Sequence, residues 1–168
     1  MIDCDYIIFH GDRNTGRSSL LFTLANICKS NNENTFFFGA TDEFNSESLI
    51  ESPFSRKFFY RHRDTRLIEN IFQIAEREKC QYVFIDDIDF LSLEDLKIIN
   101  ESKIKKIATC LTGKIPKITT YKSYELSSVY DDATFREEKY LSSDGSIIPI
   151  SVFFKTFERD KKINSILK

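Results

Sequence analysis

The stretch Gly11-Asp12-Arg13-Asn14-Thr15-Gly16-Arg17-Ser18 decides how this chain is read. Before it runs Tyr6-Ile7-Ile8-Phe9-His10, a short apolar segment rich in β-formers, which suits a strand buried on both faces. After it, Ser18 to Ser30 places Leu20, Leu21, Leu24, Ile27 and Cys28 at helical spacing. Strand, glycine-punctuated loop and amphipathic helix form the context in which G-x-x-x-x-G-K-[ST] carries chemical meaning. Here Arg17 holds the lysine position. Gly11 and Gly16 are expected to permit tight positive-φ turns that point successive backbone N–H groups at an anion. The opening turn of the helix adds its positive dipole end. The expected ligand is therefore a polyphosphate, gripped by Gly11, Asp12, Arg13, Asn14, Thr15, Gly16, Arg17, Ser18 and Ser19. The plain alternative is a strand-to-helix turn with no ligand.

Arg17 matters because lysine is a compact point charge and arginine a longer planar fork. Arginine still binds phosphate, even bidentately. It does not place its charge where lysine would, and small misplacements cost large rate factors, so the substitution favours binding over rapid hydrolysis. A second element, Tyr82-Val83-Phe84-Ile85-Asp86-Asp87, is an apolar strand ending in acids. At the carboxyl end of a parallel strand, Asp86 is expected to hold magnesium through water, and Asp87 to polarise an attacking water; Ser18 would give its hydroxyl to the same ion, and the plain alternative is acids that cap a strand end.

Working outward, the chain alternates strands and helices. Thr35-Phe36-Phe37-Phe38 reads as a second strand ending at Gly39, and Leu67, Ile68, Ile71, Phe72 and Ala75 form one helical stripe between Thr65 and Lys79. Ser92-Leu93-Glu94-Asp95 reads as a capping box opening a helix to about Ser102, and Ile104 to Leu111 as a strand closed at Thr112-Gly113. Residues 41–55 read as a helix and loop, and Phe58-Phe59-Tyr60 as a short strand. Residues 118–157 are expected to be mostly extended, with a turn at Ser143-Asp144-Gly145-Ser146. The expected fold class is α/β: a three-layer αβα domain spanning residues 1–168, mostly parallel, with a C-terminal antiparallel hairpin.

Composition sets outer bounds. In 168 residues, 24 Lys plus Arg nearly cancel 26 Asp plus Glu, which gives no global electrostatic case for nucleic acid or an anionic membrane. No apolar run approaches the roughly 18 residues of a bilayer-spanning helix. The acidic start Met1-Ile2-Asp3-Cys4-Asp5 does not have the form of a secretory leader. The four cysteines are scattered, without a C-x-x-C pair, and read as reduced core thiols; a reducing, cytoplasmic compartment is expected. The run from Ser55 to Arg66 interleaves Phe, Tyr, Arg and Lys, and its two readings are a single-strand nucleic-acid contact or a core strand flanked by paired charges. His10 and His62 read as structural.

These motifs resemble the P-loop NTPase superfamily, with residues 11–18 as a variant Walker A and 82–87 as Walker B. Within it the chain looks like the RecA-like group of hexameric replicative helicases and recombinase-type ATPases. That resemblance implies ATP and Mg2+, slow or impaired hydrolysis linked to DNA transactions (replication, recombination or packaging), and assembly as a homo-oligomer or with an ATPase partner. It also implies Glu43 as the water-orienting acid and Thr112 as a polar sensor. Asp131-Asp132-Ala133-Thr134 would lead into the closing meander, with Lys155 and Arg159 as basic residues reaching a neighbouring subunit's nucleotide. Phe84 to Phe90 with Ile107 to Leu111 also looks like thymidine kinases, which implies a nucleoside kinase; those enzymes usually carry a C-terminal cysteine lobe, and no cysteine follows Cys110. Arg17 implies a third reading, a non-catalytic nucleotide-binding assembly or regulatory protein.

Overall fold

A computed structural model describes residues 4–39, 67–114, 121–131 and 136–166. Among them seven strands form one sheet in the order β2-β3-β4-β1-β5-β6-β7. The strands are β1 (Tyr6–Gly11), β2 (Thr35–Gly39), β3 (Tyr82–Asp86), β4 (Lys105–Leu111), β5 (Lys122–Asp131), β6 (Arg136–Ser143) and β7 (Ser146–Pro149). The pairs from β2 to β5 are all parallel, while β5–β6 and β6–β7 are antiparallel. The helices are α1 (Arg17–Ser30), α2 (Leu67–Arg77), α3 (Leu93–Glu101) and α4 (Ile150–Ile166), with a short 3₁₀ turn at Ile88–Phe90.

The strands read as continuous apolar runs because both faces of the sheet are covered. Successive residues of β1 enter opposite layers: Tyr6 and Ile8 pack with Phe36, Ile71 and Ile99, under α2 and α3. Ile7 and Phe9 pack with Leu21, Leu24, Phe153 and Phe157, under α1 and α4. This is the expected three-layer αβα arrangement. Asp144 (φ 51°) and Gly145 (φ 78°) form the two-residue hairpin between β6 and β7, with the positive φ at both positions that such a tight turn requires. The capping box of α3 is complete: Ser92 accepts from the Asp95 amide, and the Asp95 carboxylate accepts from the Ser92 amide.

One expectation needs correction. Residues 150–157 are not extended but form the first half of α4. Their β-branched and aromatic composition favours a strand locally, but tertiary packing decides. In a helix Phe153 and Phe157 fall on one face, where Phe153 meets Phe9 and Tyr124 with both ring centroids 5.6 Å away. Val152 is left 48% exposed. Lower on α4, the buried Lys161 pairs with Glu33 at 2.7 Å and lies 3.7 Å from the centroid of the Tyr82 ring, fixing the helix to the amino-terminal end of the sheet. The helix and loop expected over 41–55, the strand expected at 58–60 and the basic–aromatic run 55–66 lie outside the described residues.

Phe153→Ala should lower unfolding free energy by about 3–5 kcal/mol, as expected for deleting a buried ring, whereas Val152→Ala should stay within about 0.5 kcal/mol. Urea denaturation followed by circular dichroism measures both; equal costs would contradict the helical placement.

Candidate functional site

The site gathers at the carboxyl ends of three neighbouring parallel strands, β3, β4 and β1, where open α/β sheets bind ligands. The loop after β1 runs directly into α1. Asn14 (φ 64°) and Gly16 (φ 90°) take left-handed conformations, and the Thr15 hydroxyl donates to the Asp12 carbonyl at 2.9 Å. The expectation of a positive φ at Gly11 does not hold: Gly11 is the last residue of β1. It is glycine for a different reason, since a Cβ there would stand 2.7 Å from the Leu126 carbonyl oxygen and 2.8 Å from Thr15 Oγ1.

Helix α1 begins without a side-chain cap and without an acid in its first turn. The contrast with the fully capped α3 is informative. First-turn N–H groups have no intrahelical partner and must be satisfied from outside. A helix start of this kind suits an anion, which the helix dipole also favours.

The two motifs meet through side chains. Ser18 Oγ donates to Asp86 Oδ2 at 2.7 Å. Asp86 is fully buried, and its other oxygen accepts from the Thr109 hydroxyl. Thr109 Oγ1 in turn accepts from the Asp87 amide at 2.9 Å. The parallel register places this threonine: Ile85 stands opposite Ala108, so the next residue of each strand is Asp86 and Thr109. Burial pushes the Asp86 carboxyl above its ordinary 3.8, and the hydrogen bonds from Thr109 and Ser18 oppose the rise.

Arg17 Nη2 lies 3.4 Å from Asp87 Oδ1, with both side chains largely buried. Its other terminal nitrogen, Nη1, is buried and has no hydrogen-bond partner among the described residues. Asp87 itself sits in the left-handed region at φ 55°. Over this pair opens a cavity of about 410 Å³ lined by Arg13, Asn14, Gly16, Arg17, Ser18, Ser19, Asp87, Phe90 and Leu111. Asp12 and Arg13 are exposed.

The other candidates lie apart from this cluster or outside the described residues. Thr112 is exposed in the turn after β4, and its amide donates to the Gly11 carbonyl at 3.1 Å. The threonine that touches Asp86 is Thr109, which the sequence conceals within an apolar run; only the register reveals it. Glu43 lies outside the described residues, as do residues 132–134. Lys155 and Arg159 are exposed on α4, and Arg159 lies 3.6 Å from Asp160. His10 is half-buried at the end of β1, where burial lowers its pKa. Cys28 and Cys110 are buried, and burial pushes the Cys110 thiol up to about 12.

Because the folded pKa of Asp86 exceeds its unfolded value, the native state binds its proton more tightly. Its contribution to stability is fully present below 3.8 and is lost as pH rises through the folded value. Asp86→Asn should therefore raise the melting temperature relative to the unaltered protein at pH 7 and raise it less at pH 4. Thermal melts across that range measure it; a difference independent of pH would contradict the buried charge. Thr109→Val should cost about 1–3 kcal/mol in denaturant unfolding, because it leaves the Asp87 amide and one Asp86 oxygen without their partner.

Comparison with known proteins bears on the fold and the family. A KaiC-like protein of the hyperthermophilic archaeon Pyrococcus horikoshii shares the fold, with a TM-score of 0.55 over 86% of this chain and 83% of that one, at 13% identity. No curated protein matches the chain in sequence. The family model for the ATPase family associated with various cellular activities (AAA) matches residues 7–118, which include the loop, Ser18, Asp86, Asp87 and Thr109. With its RecA-like sheet and its phosphate loop joined to an Asp-terminated strand, the chain belongs to the AAA family of P-loop ATPases.

Proposed function

We propose that the chain binds ATP with magnesium in the loop of residues 11–19 and turns it over slowly. The observation that carries this reading is the 2.7 Å contact between Ser18 and the buried Asp86, beside a helix start without a side-chain cap. The donor set fits the ion: a hydroxyl and a carboxylate are the hard oxygen ligands that magnesium takes. Ser18 would hold it directly and Asp86 through water. When bound, the ion neutralises charge on the terminal phosphates.

The protein's own groups divide the remaining work. The amides of Gly16, Arg17 and Ser18 orient the phosphates at the helix start. Arg17 Nη1, a buried donor without a hydrogen-bond partner among the described residues, would be satisfied by a phosphate oxygen. Asp87, or Glu43, would orient the attacking water. The pairing of Arg17 with Asp87 divides the guanidinium between acid and ligand and partly neutralises one water-orienting group. Both effects favour tight binding over fast chemistry, which keeps the nucleotide-dependent assembly or regulatory role as the second reading. A link to DNA transactions is supported by the resemblance to replicative helicases and recombinases. Within an oligomer, the exposed Lys155 and Arg159 would approach a neighbouring copy's nucleotide.

Calorimetric titration should show ATP binding that strengthens with magnesium, and Asp86→Ala should weaken the magnesium-dependent component by about 10–100-fold, as removing a group that orients a metal ligand does. Coupled measurement of phosphate release should give slow turnover, lowered further in Asp87→Ala with affinity retained. Magnesium-independent binding, or turnover unchanged in Asp86→Ala, would contradict these roles; phosphate transfer to deoxythymidine instead of water would identify a nucleoside kinase.

A further inference from the structure

The phosphate loop has a second cation beside it that does not belong to its motif. Lys139 lies on β6, and its ammonium rests against the α-carbon of Gly16: a Cβ built there would collide with Lys139 Nζ and approach Cε to 3.6 Å and Cδ to 3.9 Å. Gly16 is the N-cap of α1, so this charge is held at the positive end of a helix. Cations are disfavoured at such an end. Arg17 adds a further positive charge there, and Asp87, 3.4 Å from its guanidinium, partly compensates it. Two cations and a helix start without a side-chain cap form a concentration of positive potential suited to an anion of several charges.

The fold explains how a residue so far along the chain arrives there. β5 lies beside β1, and β6 pairs with β5 in a register that sets Lys139 opposite Ser128. That register brings the strand alongside the loop leaving β1. The left-handed φ of 90° is what favours glycine at position 16, since a Cβ there would only push aside the flexible end of the lysine.

We propose that Lys139 is a phosphate-binding residue that supplies, from β6, the ammonium that the loop's own lysine position lacks. The proposal rests on the nucleotide-binding reading above. Arg17, shared with Asp87, holds the loop to the end of β3, and Lys139 contributes a compact point charge to the polyphosphate.

The test compares the full chain with Lys139→Met, which keeps length and removes charge, and Lys139→Arg, which keeps charge. Ligands are ATP and inorganic tripolyphosphate, titrated calorimetrically at low and high salt. Lys139→Met should lose about tenfold affinity for both ligands at low salt, with a smaller loss at high salt, and Lys139→Arg should stay within about threefold. The melting temperature of ligand-free Lys139→Met should not fall, because the deleted charge faces a positive helix end. Affinity within about twofold of the unaltered protein would overturn this inference and leave the nucleotide-binding reading standing. A fall in melting temperature that accompanies the affinity loss would make the lysine structural and overturn the inference as well. If the unaltered chain bound neither ligand, both would fall.

Discussion

A buried carboxylate with two hydroxyl partners organises this molecule. Asp86 is fully removed from solvent, where an ionised acid is costly unless hydrogen-bonded. Its partners come from two other elements: Ser18 from the first turn of α1, and Thr109 from β4. Satisfying that one group fixes the height of α1 against the sheet and the register of β3 against β4. It also fixes the path of the chain at Asp87, whose amide donates to the same threonine. The stability cost of Asp86 burial is thus coupled to the geometry of the phosphate loop, and the loop cannot shift without leaving a buried acid short of a partner.

Around that centre the local electrostatics are unusual in sign. A helix start without a side-chain cap has Arg17 in its first turn, paired with Asp87, and the Lys139 ammonium beside its Gly16. On the proposals made above, repulsion in this arrangement would be relieved when a polyanion enters. Ligand binding would then have a driving force that does not depend on the lysine usual in this loop.

Much of the fold was legible because its signals are local. Ser92 and Asp95 lie three residues apart and form the capping box read from their spacing. The stripe from Ile68 to Ala75 has the period of α2, and the apolar runs of β1, β2 and β3 end at the acids and glycines that mark them. That residues 18 and 86 stand at one site was legible from the context of each motif, but their direct hydrogen bond was not. What escaped was set by tertiary partners. Phe153 and Phe157 look like strand residues until Phe9 and Tyr124 are placed beneath them. Thr109 looks like any β-branched residue until the register puts it beside Asp86. Lys139 carries no motif at all, and Gly11 owes its identity to a carbonyl on β5, not to its own dihedral angle.

The central claim is that residues 11–19 seat the phosphates of a nucleoside triphosphate, with a metal at Ser18. The most direct measurement is a crystal structure of the unaltered chain with magnesium and a non-hydrolysable ATP analogue. The account predicts phosphates against the amides of Gly16, Arg17 and Ser18, and a metal bound by the Ser18 hydroxyl with Asp86 in its outer sphere. A triphosphate seated elsewhere, or a loop that still joins Ser18 to Asp86 with no ligand over it at saturating nucleotide, would contradict it.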